Sequence, residues 1–484
     1  MLLLFAIPAL FVGSRACAPC HAEIFKSYSA TPMAMSSGRP ATVPAGTFRH
    51  AASGVQYDID DAGLVHFSKG EANGSQKLEY FIGSGAAGRS FLYSRGGFLF
   101  EAPVTWYTQT KSWDVSPGYQ ADRVSRWSRP VEPSCLYCHA SQPRWRAGTT
   151  NAFASPAFGE DGVGCERCHG PGSLHIEGKG KMVNPRKLAV SARDSVCTQC
   201  HLSGESRVLL AGKKIEDYRP GERVSDYVAY FVPAERGDFQ VNSHVEKLSQ
   251  SVCKRAAGDK LWCGSCHDPH KVPNASERAT WFHDRCMTCH QNNQCKRGFD
   301  CTSCHMPKTA AADAGHGVFT DHSIPRLASH ATGVERTWRL KSFLPEGATD
   351  RELGLAYAEV GVRTGDRRQQ SEAIRLLSSS AADAEVEVRL ADLLERTGAA
   401  DRALELYRNV LRRDPTQVVA LVNLGRLYGT KGYVDEAITL WREALKSNPC
   451  LAEAGQNLQI ALRAKNDAAG ADAVRKAQAF CVFE

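Results

Sequence analysis

The chain has 484 residues, 43% of them hydrophobic and 23% charged, and a formal net charge of +7. That length is enough for two or three domains. Beyond the first few residues no stretch reaches the roughly 18 apolar positions of a membrane-crossing helix, which excludes a helical span in the mature chain.

In chain order, residues 1–16 read as a signal peptide. The apolar run Leu2–Val12 is followed by the small residues Gly13, Ser14 and Ala16, and the run is too short to span a bilayer. It lacks a basic flank, which leaves room for a start codon upstream. Then comes the first of seven Cys-x-x-Cys-His motifs, Cys17/Cys20/His21. The others are Cys135/Cys138/His139, Cys165/Cys168/His169, Cys197/Cys200/His201, Cys263/Cys266/His267, Cys286/Cys289/His290 and Cys301/Cys304/His305. Random order at this composition would give on the order of 0.02 such motifs. A zinc knuckle or a disulfide loop would explain a single copy. Seven copies are the signature of c-type haem attachment, with each cysteine pair bound to the haem vinyl groups and each His the proximal iron ligand. The sequence therefore implies seven covalently bound c-type haems.

That assignment changes the charge argument. Each ferric haem with two His ligands adds about −1, so the loaded chain is near neutral and the basic sequence gives no warrant for nucleic-acid binding. The Lys and Arg residues are expected to meet propionates. Covalent haem attachment takes place outside the bacterial cytoplasmic membrane, so the expected location is periplasmic or extracellular.

Between the first and second motifs, Val55, Tyr57 and Ile59 alternate with polar residues, then Asp60-Asp61-Ala62-Gly63 precedes Leu64, Val65 and Phe67. Phe91–Ser94, Arg95-Gly96-Gly97 and Phe98–Phe100 repeat the hairpin pattern. Residues 45–125 are thus expected to form a small antiparallel β module. The remaining six motifs crowd into residues 135–305, about one per 30 residues, too dense for an ordinary apolar core. The haems themselves are expected to be the core of a seven-haem domain, residues 17–345, otherwise built of short helices and loops. Beyond residue 350 a 34-residue period appears: Ala391, Ala403, Tyr407 and Pro415 recur as Gly425, Ala437, Trp441 and Pro449. These are the small, Ala, aromatic and Pro positions of the tetratricopeptide repeat. Residues 350–484 are expected to be an all-α repeat solenoid, with 350–383 a degenerate repeat and 452–478 a further repeat or a cap. The fold class is therefore mixed.

Seven irons need a sixth ligand or an open site. Nine His lie outside the motifs: His50, His66, His175, His244, His270, His283, His316, His322 and His330. His270, in His-Asp-Pro-His, cannot reach the far face of the haem held by His267 and is expected to serve a neighbour; His175, in a tight turn after His169, has the same constraint. His244 opens a helix-like segment, His316 and His322 share one segment, and His50 opens the β module. His66 lies on a strand and fits a solvent-facing role equally well. His283 and His330 have no supporting context. Met33, after the first motif, is a candidate thioether ligand that would raise that haem's potential.

Cys-x-x-Cys-His-Gly-Pro-Gly-Ser-x-His, Cys-x-x-Cys-His-Asp-Pro-His and Cys-x-x-Cys-His-Met-Pro-Lys, ending at Lys308, resemble the multihaem cytochrome c superfamily over about residues 15–325. That group includes the tetrahaem electron acceptors of ammonia oxidation, pentahaem nitrite reductases and octahaem oxidoreductases. The resemblance implies closely packed haems, electron transfer at bis-His haems, and His175, His244 and His270 as distal ligands. No Cys-x-x-Cys-Lys motif of a nitrite-reducing haem is present. The leading expectation is an electron carrier with a redox partner protein, its repeats docking another protein or a sister chain. The alternatives are a reductase of a small nitrogen or sulfur oxyanion at a five-coordinate haem, and a subunit of a stacked cytochrome filament. Of the four remaining cysteines, Cys253 and Cys295 are expected to pair, with no pairing assigned to Cys450 and Cys481. The tail, free of His, is expected to be separable from the haem region.

Overall fold

The structure is a computed structural model that describes residues 10–235, 240–291, 299–311, 318–325, 337–344 and 346–483. Both anticipated hairpins are present inside a larger module. One sheet is formed by β2 (Gly46–Arg49), β3 (Gln56–Ile59), β4 (Leu64–Lys69) and β5 (Ala72–Lys77), in that order and antiparallel. The other runs β1 (Ser37–Gly38), β6 (Tyr80–Ile82), β7 (Gly88–Arg95), β8 (Phe98–Tyr107) and β11 (Arg129–Pro130), with β9 (Ser112–Val115) also on β8. Alternation places Tyr57, Val65, Phe91, Tyr93, Phe100, Val104, Trp113 and Trp127 in one shared core. Gly96 and Gly97, at φ 60° and 84°, supply the two left-handed positions that a two-residue β7–β8 turn requires. The module therefore begins at Ser37 and closes at Pro130, wider than the 45–125 expected, because its edge strands are too short to show periodicity.

The motif-bearing region holds more strand than the sequence implied. Ser141–Trp145 pairs with Phe153–Glu160, and Ser206–Leu209, Val228–Pro233 and Leu340–Ser342 form a three-stranded sheet. Around the second and fourth motifs protein side chains do build a core, of Tyr137, Leu202, Ile215, Tyr218, Val224, Val228 and Tyr230. Around the last three motifs the described residues do not. The helices Cys263–Cys266, Arg278–Met287 and Cys301–His305 contain no buried residue, Trp281 and Phe282 included. The density of motifs there leaves too few apolar side chains between them to cover one another.

The tail forms four helical hairpins: Asp350–Thr364 with Arg367–Ser379, Ala384–Arg396 with Ala400–Arg413, Val418–Thr430 with Val434–Ser447, and Ala452–Ala464 with Ala468–Gln478. The periodic positions do the packing. Ala403, Tyr407, Ala437 and Trp441 are buried. A Cβ on Gly425 would lie 2.6 Å from Trp441 Nε1, which is why the position opposite Trp441 is small.

The tail packs on the rest of the chain at two places. The first repeat helix packs on the three-stranded sheet in one core with Val208, Ala229, Phe231 and Leu340. Arg363 pairs with Glu205 at 2.7 Å, and Ser206 Oγ donates to Glu359 at 2.6 Å. At the other end the strand Val482–Phe483 pairs with β10 (Ser125–Arg126), and Cys481, bridged to Cys450, accepts a hydrogen bond from Trp127 N at 2.8 Å. Cys450 and Cys481 belong to the core of the β module. The solenoid is thus fastened at both ends. Cys253 is a free thiol and Cys295 lies outside the described residues, so the pairing expected of them is not seen.

The N-terminal segment also makes contacts with the third motif. Glu166 accepts from Val12 N, Gly13 N and Gly172 N at 2.7–3.1 Å, and Ser14 Oγ accepts from Cys165 N at 2.8 Å. Residues 12–14 are thus tied by hydrogen bonds to the start of the third motif.

Candidate haem-binding sites

All fourteen motif cysteines are free thiols rather than disulfide partners. Six of the seven motifs overlap an α-helix, and the first follows a 3-10 turn, Ser14–Cys17. One helical turn brings the cysteine pair and the following His to one side of the backbone.

Thiols of different motifs touch. Cys17 lies beside Cys165, Cys138 beside Cys200, Cys197 beside Cys263, and Cys286 beside Cys301. The contact with Cys200, aided by the Arg207 guanidinium, holds Cys138 down at about 6. The attachment points are therefore neighbours in space: first with third, second with fourth, fourth with fifth, sixth with seventh.

Four of the motif cysteines lie at the surface. Cys20, Cys135, Cys289 and Cys304 are exposed, whereas Cys17, Cys138, Cys286 and Cys301 of the same motifs are half-buried. The reason is geometric. Two residues three apart on a helical turn point about 60° apart around its axis, so both thiols of a pair cannot face the neighbouring motif equally. In each of these motifs the half-buried cysteine is the one that touches a thiol of another motif. Its mate turns to the open side, where the polypeptide lays no side chain over it. Cys20, Cys289 and Cys304 thus lie at the protein surface, in the first, sixth and seventh motifs. Their motif spacing is intact, so their candidacy as anchors stands on the motif and not on burial.

The imidazoles are aimed in a consistent way. Nδ1 of His169, His175, His305 and His322 lies 2.7, 3.2, 2.9 and 3.0 Å from the carbonyl oxygens of Val183, Gly180, Pro325 and Thr320. Nδ1 of His270 lies 3.6 Å from Asp268 Oδ1. Donation from Nδ1 fixes the tautomer and leaves Nε2 with its lone pair outward, the arrangement metal-binding His residues use. Desolvation pushes His139, His201, His270 and His322 below the ordinary imidazole range and His244 down to about 3, so these rings stay neutral, as ligation requires.

The rings also pair. Two imidazoles on opposite faces of one iron, with nitrogen–metal bonds of about 2 Å, have centroids about 6.3 Å apart. His21 and His175 stack at 6.4 Å, His267 and His322 face each other at 6.2 Å, and His169 and His270 stack at 5.8 Å. His201 and His244 lie closer, at 5.2 Å, and nearly perpendicular. Each pair joins a motif His to a His distant in sequence.

The other candidates fall elsewhere. Both ring nitrogens of His50 are occupied, by Ser53 Oγ at 2.9 Å and the Gln120 carbonyl at 3.0 Å; it locks a buried turn of the β module rather than aiming at an iron. Met33 is half-buried and its carbonyl accepts from Val163 N and Ser36 Oγ, while the ring facing His21 is that of His175. His66 is exposed on β4, and His283 stacks on Phe299 at 4.0 Å. His316 and His330 lie outside the described residues. His139, His290 and His305 make no imidazole pair among the described residues.

The residues present fit haem. The hydroxyls of Tyr218 and Tyr230, both in the core beside Cys138 and Cys200, have no hydrogen-bond partner among the described residues. Buried polar atoms of this kind carry an energetic cost unless a further group satisfies them. Sequence reading did not single out Tyr137, Arg167 and Gln199, which meet in one hydrogen-bonded cluster. They occupy the variable positions of their motifs, where nothing in the sequence distinguishes them.

Comparison with known proteins gives two sequence matches. The model of a family described as cytochrome c554 and c-prime matches residues 106–170, which take in the second and third motifs. Multiheme cytochrome MtrA of Shewanella baltica is 27% identical over 181 residues, covering 34% of this chain and 53% of that protein. The chain thus spans about half the length of the curated relative it matches. Among solved structures, MamA AMB-1 is 26% identical over 27% of this chain and 69% of its own, with a TM-score of 0.24. A human IFIT1 dimer with PPP-AAAA is 19% identical over 26% of this chain and 32% of its own, also at 0.24. These overlays are too loose to argue from, and the repeat assignment rests on the helical hairpins themselves. The two sequence matches support a multihaem cytochrome.

Proposed function

We propose that this chain is a seven-haem c-type cytochrome that relays electrons outside the cytoplasmic membrane. The observation that carries the reading is the set of His pairs, His21–His175, His169–His270 and His267–His322, at 5.8–6.4 Å. Bound haem supplies one-electron exchange between ferric and ferrous iron. The chain's own part is to hold it. The fourteen motif cysteines anchor each group, the motif His residues approach one face, and His175, His270, His322 and His244 approach the other. Carbonyls on Nδ1 of His169, His175, His305 and His322 keep those four rings in the ligating tautomer. The contacts between thiols of different motifs place the attachment points side by side, as a relay needs.

Four of the seven proximal His residues are faced by a second imidazole, which favours relay over substrate turnover at those four. The Cys450–Cys481 bridge supports an oxidising compartment, since structural disulfides persist there. The fastened solenoid is a rigid platform for a redox partner or a sister chain. The test is a pyridine haemochrome assay with intact mass, paired with electron paramagnetic resonance of the oxidised protein. Seven haems per chain with at least four low-spin irons are expected. A chain without covalent haem, or one dominated by high-spin iron, would overturn the reading.

A further inference from the structure

Three of the seven motifs converge on one side chain. The residue immediately before the second cysteine is Tyr137 in the second motif, Arg167 in the third and Gln199 in the fourth. Arg167 Nη2 donates to the Tyr137 carbonyl at 3.0 Å and to Gln199 Oε1 at 3.2 Å. Tyr137 Oη donates to the same Gln199 oxygen at 2.8 Å. Gln199 Nε2 donates back to the Arg167 carbonyl at 3.3 Å and to the Val196 carbonyl at 3.0 Å. The guanidinium carbon sits 3.9 Å from the centre of the Tyr137 ring, a cation–π contact. Tyr137 and Gln199 are 1% and 2% exposed.

The partners of Arg167 are all neutral: two oxygens of uncharged groups and an aromatic face. Among the described residues no carboxylate pairs with it. Arginine keeps its charge under all ordinary conditions. A full positive charge is therefore held, with screening limited by burial, against the residues that directly precede Cys138, Cys168 and Cys200. Electrostatic influence falls with distance and rises as the local dielectric drops. A haem iron carries one positive charge less when reduced than when oxidised, so a fixed nearby cation favours the reduced form. Here the same cation stands beside three attachment points at once.

We propose that Arg167, clamped between Tyr137 and Gln199, is a shared positioning and tuning residue of the second, third and fourth motifs, holding the three haems attached there at higher potentials than they would otherwise have. This rests on the haem assignment above and adds to it a named residue and a direction. It makes these three sites more oxidising than independent sites with no shared cation would be.

The experiment uses the full-length matured protein and a redox titration followed by visible and electron paramagnetic resonance spectra. Arg167→Gln should lower three of the seven midpoints together and leave the other four in place, with the mass still reporting seven haems. Arg167→Lys, which keeps the charge, should restore most of the shift. Gln199→Glu adds a negative charge against the guanidinium within an almost unchanged shape, and should lower the same three midpoints even if Arg167→Gln fails to mature. Seven haems with unchanged midpoints, or a shift confined to one haem, would overturn the shared role. A Lys variant indistinguishable from the Gln variant would overturn the electrostatic cause. Absence of covalent haem in the unmodified chain would instead remove the assignment on which the proposal stands.

Discussion

The C-terminal fastening makes a demand that can be measured. Cys481 is tied to Cys450 across a sequence separation of 31, and the next two residues add a strand to β10 of the distant β module. Closing a loop of that length removes chain entropy worth about 3.7 kcal/mol at 25 °C from the unfolded ensemble. Cys481→Ser should therefore lower the stability of the solenoid and module by roughly that amount, or roughly 10 °C in melting temperature for a unit of this size. Truncation before Phe480 should cost more. It also removes the bond from Trp127 N and the aromatic contacts of Phe480 with Phe100 and Phe483 with Phe67, at 6.0 and 4.8 Å, together about 3 kcal/mol. The assay is thermal unfolding by far-ultraviolet circular dichroism, which reports the eight repeat helices, with and without a phosphine reductant. Reduction of the unmodified protein should reproduce the Cys481→Ser shift and leave the variant unmoved. A melting temperature changed by less than about 2 °C in both variants would refute the idea that the chain terminus clasps the two regions.

Three further outcomes follow from the packing and the sites. His270→Ala should convert one low-spin iron to high-spin in the oxidised spectrum, while His50→Ala, removing a ring held by Ser53 and Gln120, should leave the iron signals unchanged; the reverse pattern would remove the pairing with His169. Gly425→Ala sets a methyl against Trp441 and should destabilise the solenoid by about 1–3 kcal/mol in urea unfolding, even though Ala is the better helix former; equal stability would show that Trp441 has room to move. Glu101 is buried beside Arg129 at 3.0 Å, and burial outweighs that ion pair, raising its carboxyl from 4.5 to about 7. The folded chain then holds the proton more tightly than the unfolded one. Stability should fall as pH rises from about 4.5 to 7, by up to about 3 kcal/mol, and level off above. Glu101→Gln should flatten that slope in denaturation series at pH 5 and 8, and an unchanged slope would assign it to another group.

What was legible in the sequence was whatever local chemistry or local periodicity enforces. A Cys-x-x-Cys-His motif carries its chemistry in five consecutive residues, so all seven could be named without a fold. Tyr57, Val65, Phe91 and Phe100 announced their strands through period-two burial, and Gly96-Gly97 announced the turn. Ala403, Tyr407 and Trp441 announced the repeats because helix pairs need small residues opposite large ones. The motif does not say which of its two thiols faces inward: Cys20, Cys289 and Cys304 are equivalent to Cys17, Cys286 and Cys301 until a second motif packs against one of each pair. The distal ligands show a further limit. His270 could be set apart from its own neighbour His267 by chain geometry, but nothing local says that the ring beside it is His169 rather than another. That choice is made by how Gly-Pro-Gly after His169 and Asp-Pro before His270 turn the chain in space. His50 and Met33 looked as suitable as His175 because residue type was the only guide; their backbone surroundings, a satisfied turn and a stretch hydrogen-bonded to Val163 and Ser36, became visible only when folded. The two-residue strand Val482–Phe483 has no period to detect, and Cys450 and Cys481 gain meaning only once that strand is laid on β10. The cluster of Tyr137, Arg167 and Gln199 is the extreme case. The flanking cysteines of each motif determine where these residues sit, while their own identities are unconstrained by the motif. A feature shared among three motifs is therefore written in the positions that motif reading discards, and only the folded chain brings the three letters together.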